Sequence, residues 1–146
     1  MRLWVALYGM IWLVFAEFLL GTWPGPPAAV PYLHAALGVG IVALAYQNMV
    51  WLRRTRVPGR VKRVARATFA LTILMAFLGA LLGADVGASS YVLGISVYEG
   101  ILFFHLVNAL AIITQAAAVA IAYDMWEDRE FEKESEAGSI PRARAV

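Results

Sequence analysis

The chain has two histidines, His34 in VPYLHAALGVG and His105 in ILFFHLVNALAII, and each sits in a stretch otherwise suited to lipid. A neutral imidazole offers a metal ion one lone pair and a neighbour one N–H, which makes it a common ligand for iron, zinc and copper. An ionisable side chain inside a membrane span is costly and marks function by default. One such histidine is explained well enough as an interhelical hydrogen-bonding residue. Two in matching settings point to a shared ligand. Glu17 is an acid within the apolar run that precedes them. It is available to carry a proton, to meet the counter-ion of a bound group's carboxylate, or to reach the membrane surface. There is no cysteine, which excludes disulfides, thiolate nucleophiles, iron–sulfur clusters and thiolate zinc sites.

The elements that must hold these side chains follow from composition. The 146 residues are 62% hydrophobic, with a mean hydropathy of +0.71, and only 15% are charged, against roughly 25% in soluble domains. Four apolar runs, at about 3–21, 29–52, 67–84 and 97–123, approach or exceed the roughly 20 residues of helix that cross a bilayer. Backbone amides in lipid must pair within their own segment, so helices are expected. The fold class is all-α integral membrane: a four-transmembrane-helix bundle over 1–126, then a polar cytoplasmic tail over 127–146 that frays from helix into disorder. No soluble catalytic domain fits beside it. The first run is expected to be a retained helix and not a cleaved leader, given its length and Glu17 within it.

The twelve Lys and Arg residues lie at Arg2, between Arg53 and Arg66, or from Arg129 onward, and the other two connections hold none. The positive-inside rule then places both termini and the basic turn in the cytoplasm of a multi-pass cell-membrane protein. The net charge of +2 reflects this loop bias, so lipid is the expected partner and nucleic acid is not. Trp23, Tyr32, Tyr91 and Tyr98 form an outer aromatic belt and Trp51 and Trp126 an inner one. The acids Asp85 and Glu99 fall in the third connection, where they could guide a cationic partner.

The chain also reads as two similar hairpins, each with aromatic–bulky–His near the outer end of its returning helix: Tyr32-Leu33-His34 and Phe103-Phe104-His105. At a rise of about 1.5 Å per residue, His34 lies ~8 Å and His105 ~12 Å below the outer helix ends, indistinguishable depths on helices running the same way. Four residues after each histidine stands a small residue, Gly38 or Ala109, leaving room for something flat, and Asn108 is placed to touch a bound group. Gly79 and Gly83 permit close helix approach; Gln47, Asn48 and Gln115 serve as interhelical glue. The expected cofactor is a b-type haem ligated by His34 and His105 as metal ligands, a type of site that helical bundles build from facing helices. Zinc, a non-haem iron held by both histidines and Glu17, and no cofactor at all stay open.

These features resemble the haem A synthase family, membrane enzymes that oxidise a methyl group of haem O to make haem A. Its usual member has two four-helix halves, each ligating haem through histidines near the outer ends of its second and fourth helices. This chain is similar to one half, as in compact archaeal members. The resemblance spans roughly residues 5–126 and rests on YLHAALG, WLRRTRVPGRVKR, FLGALLG and FFHLVNALAI. It implies that His34 and His105 are axial ligands and that haem O and haem A are substrate and product. Two features depart from the family. A glutamate usually stands three residues before the first ligand, where this chain has Pro31, and the first outer loop TWPGPPAA lacks the frequent cysteine pair. Glu17 and Glu99 are the acids available as catalytic substitutes.

Three functions compete: a haem-modifying oxidoreductase of that family, a haem-bearing electron-transfer subunit of a respiratory quinol or oxidase complex, and a cofactor-free structural subunit. Candidate partners are respiratory-complex subunits, a haem-biosynthesis partner and a quinone.

Overall fold

A computed structural model describes residues 3–139. Four helices, α1 (Leu3–Gly21), α2 (Val30–Arg54), α3 (Gly59–Gly83) and α4 (Val97–Ser139), are joined by short turns, with an antiparallel pair β1 (Tyr91–Val92) and β2 (Ile95–Ser96) between α3 and α4. All four helices are long and apolar enough to cross a membrane. Even α1, with 19 residues, reaches close to 30 Å at about 1.5 Å per residue.

Two helices run past the apolar segments that announce them. α3 begins at Gly59 rather than near residue 67, because Pro58, at φ −52°, leads directly into helix and takes the basic stretch into the first turns. α4 continues beyond Trp126 as a polar helix to Ser139. Its 43 residues reach about 65 Å, twice the apolar thickness of a bilayer, so its polar C-terminal end stands outside the lipid. The rest of the tail lies outside the described residues.

Local chemistry sets the ends. Pro31 starts α2, where a missing N–H costs nothing. Thr55 ends it by donating its hydroxyl to the Leu52 carbonyl at 2.8 Å, and the Lys62 ammonium donates to the Thr55 carbonyl at 2.7 Å, laying a cation over the helix C-terminus. The hairpin turns at Leu93–Gly94, both at positive φ (53° and 81°), the twist that suits a two-residue connection. Ser96 and Glu99 form a capping box on α4. The Ser96 hydroxyl accepts the Glu99 N–H at 3.1 Å, while the Glu99 carboxylate accepts the Ser96 N–H at 3.1 Å and its hydroxyl at 2.9 Å.

Each helix buries one stripe of residues spaced three or four apart, such as Leu7, Met10, Val14 and Glu17 on α1. Lipid supplies no hydrophobic drive between helices, so close approach of small residues has to hold them. Ala6, Ala45, Ala65, Ala109, Ala116 and Ala120 are all buried at these seams. The core has two layers. One, at the end bearing the basic turn, gathers Leu7, Leu52, Val61, Val119 and Tyr123. The next gathers Met10, Val14, Ile41, Ala45, Ile112 and Ala116. Asn48 and Gln115 cross these layers as polar glue, Asn48 donating to the Ala6 carbonyl at 3.3 Å and Gln115 accepting from Thr68 at 3.2 Å, whereas Gln47 makes no side-chain hydrogen bond among the described residues. Beyond Asn108, Thr72 and Ile41, toward the end bearing the histidines, Glu17 is the only helical side chain buried among the described residues.

Candidate cofactor site

α1 packs on α2 and α4, and α3 packs on the same two, so α2 and α4 oppose each other across the diagonal of the bundle. His34 on α2 and His105 on α4 meet there. Their ring centres are 6.2 Å apart and their planes inclined at 59°. The two rings thus meet in the bundle interior, tilted to one another. Two imidazoles bonded to opposite sides of one ion at ~2 Å each would place their ring centres about 6 Å apart.

Each ring rests on a glycine of the helix before its own. A methyl group at Gly21 on α1 would lie 3.1 Å from His34 Cε1, and one at Gly79 on α3 would lie 3.3 Å from His105 Cε1. Both separations are tighter than ordinary carbon contacts, so the missing Cβ atoms are what let the rings in. This shared seat strengthens the two-hairpin reading. Gly79 serves a ring as well as helix approach, and Gly21 escaped the sequence reading altogether. The spacing Leu7, Met10, Val14, Glu17, Gly21 on one face of α1 was the signal for it.

The same stripe turns Glu17 inward. It is 7% exposed, and its Oε2 lies 3.2 Å from His34 Nδ1, with the ring N–H out of line for a hydrogen bond. Among the described residues, four of the five buried polar side-chain atoms without a hydrogen-bond partner are here: both Glu17 oxygens, His34 Nδ1 and His105 Nδ1. Buried polar groups are rarely left unpaired, and the two core layers hold only one such atom, Asn48 Oδ1.

Other expected site residues have different duties. Gly38 borders the site by making room for Glu17, whose Oε1 would lie 3.6 Å from a methyl group there, so the space beside His34 on that side is already filled. Asn108 is buried and donates to the Leu71 carbonyl of α3 at 2.9 Å, which ties two helices together and commits its amide. Ala109 is a buried seam residue. Glu99 is committed to the α4 cap, which the spacing Ser96-x-x-Glu99 already signalled.

Among the described residues no three His, Asp or Glu side chains converge as a metal site, which weighs against zinc and against the three-ligand iron alternative. Haem needs less from the protein, since the macrocycle supplies four nitrogens and two axial imidazoles complete the iron. The ring spacing and the sparse burial around it fit that requirement.

Fold and site together define an all-α bundle of four helices suited to a membrane, with a histidine pair across its diagonal. Compared with known protein families, with characterised proteins and with solved structures, the chain matches none.

Proposed function

We propose that this chain is a membrane b-type haem protein in which His34 and His105 are the two axial ligands of one iron. The observation that carries the reading is the 6.2 Å separation of its two imidazoles across the bundle interior. A bis-histidine haem supplies one-electron chemistry. The chain's part is to hold both imidazoles level, seat them on Gly21 and Gly79, and surround them with apolar helix. Electron transfer within a respiratory quinol or oxidase complex, with a quinone as candidate partner, asks no more than this. The purified protein is expected to show sharp reduced b-haem bands in its visible spectrum. A colourless preparation that takes up no added haem would remove the proposal and leave a structural subunit as the better reading.

The haem A synthase reading stands second, favoured by ligands on the second and fourth helices within the motifs quoted above. It asks for an acid beside the reaction, and Pro31 occupies the family's usual place for one, while Glu99 caps a helix. Expression with a source of haem O decides between the two: haem A among the extracted pigments supports synthesis, unchanged haem O supports electron transfer.

The histidine end is placed at the outer face of the cell membrane, with both termini in the cytoplasm, on the charge bias of the connections. The chain has no cysteine of its own, so single cysteines report topology cleanly. In intact cells a membrane-impermeant thiol reagent is expected to label Ser90→Cys, and to label Arg56→Cys only after permeabilisation. The reverse pattern would invert the protein.

A further inference from the structure

Glu17 is the one group at the histidine end that the ligand pair leaves unexplained. A carboxylic side chain in a span is expensive, and this one is turned away from the membrane surface into the bundle, with neither oxygen hydrogen-bonded. The nitrogen facing it is His34 Nδ1, at 3.2 Å. Gly38, one turn after His34 on the same helix, leaves the carboxylate its space. The contact belongs to one histidine alone. If the hairpins are matched on the glycine seats, Gly21 with Gly79, the position four residues earlier is Glu17 in the first and Met75 in the second. His105 Nδ1 is buried without a hydrogen-bond partner.

A histidine that ligates a metal through one nitrogen commonly donates its other ring N–H to a carboxylate, which fixes the tautomer, aims the ring and raises its basicity. We infer that Glu17 is a positioning residue for His34: it accepts the Nδ1–H, holds the ring in that tautomer and leaves Nε2 as the free lone pair. The 3.2 Å between Nδ1 and Oε2 is within reach of that bond. The two ligands are therefore unequal. His34 is backed by a carboxylate, and His105 has none beside it. The inference builds on the haem reading, but its first consequence exists without haem.

The test has two arms, both on the full chain. In haem-free protein in detergent, under mildly alkaline conditions, nitrogen NMR of labelled histidine is expected to show one ring held as the Nδ1–H tautomer and assigned to His34 by its loss in His34→Asn. In Glu17→Gln that ring becomes a tautomer mixture and the His105 signal stays put. In haem-loaded protein, Glu17→Gln is expected to keep a bis-imidazole spectrum, to shift the reduction potential upward, and to lose haem roughly 10–100-fold more readily. An unchanged His34 tautomer in Glu17→Gln overturns the inference, and so does an unchanged potential in a variant that still binds haem. If wild-type protein takes up no haem, the functional proposal fails, while the tautomer arm still decides whether Glu17 positions His34.

Discussion

On the proposed haem ligation, the alanine variant of His105 is expected to emerge from purification without low-spin b-haem bands, and His34→Ala to do the same. Losing either imidazole would leave the proposed iron with one protein ligand in a site otherwise lined by apolar side chains and a single carboxylate. Neither ring belongs to the two core layers, which lie at the level of Met10, Ile112 and below. The bundle should therefore persist, with unchanged helicity and elution as the control. Reduced-minus-oxidised spectra of equal amounts of protein make the comparison. Full retention of the bands in both variants would mean that the histidines do not hold the iron.

The second large effect leaves both proposed ligands in place. Gly79→Leu is expected to weaken haem retention roughly tenfold to a hundredfold. A methyl group there already lies 3.3 Å from His105 Cε1, so leucine drives further carbons into the ring's seat. Overpacking of this kind costs about 1–3 kcal/mol, and each 1.4 kcal/mol is tenfold in affinity. Gly79→Ala asks for a shift of only a few tenths of an ångström and should be far milder, a graded response that separates a steric seat from general helix damage. Gly21→Leu should do to His34 what Gly79→Leu does to His105. Matching losses would support the internal repeat, measured by competition with apomyoglobin for haem.

Where the sequence sufficed, a strong physical constraint allowed few alternatives. Lipid forbids unpaired backbone, so four apolar runs become four helices. A fixed rise per residue on co-directional helices puts His34 and His105 at one depth. The polar glue at Asn48 and Gln115 was legible because an amide in a span must find a partner. Helix ends were less legible: proline geometry at Pro58 and the polar but helix-forming tail carried α3 and α4 beyond their apolar cores. Two signals lay in the sequence without being drawn out, the stripe that turns Glu17 and Gly21 inward and the Ser96–Glu99 capping box.

The amino-acid sequence by itself determined the number of helices, their antiparallel order and the level of the two imidazoles, because each follows from hydrogen bonding and helical rise along one strand of chain. Only the tertiary structure decided that α2 and α4 are diagonal, that each ring sits on a glycine of the preceding helix, that Glu17 reaches His34, and that Asn108 is bound to α3. Those are relations between helices, set by how each one rotates about its axis. In a uniformly apolar chain hydropathy barely restrains that rotation; contacts between small side chains do.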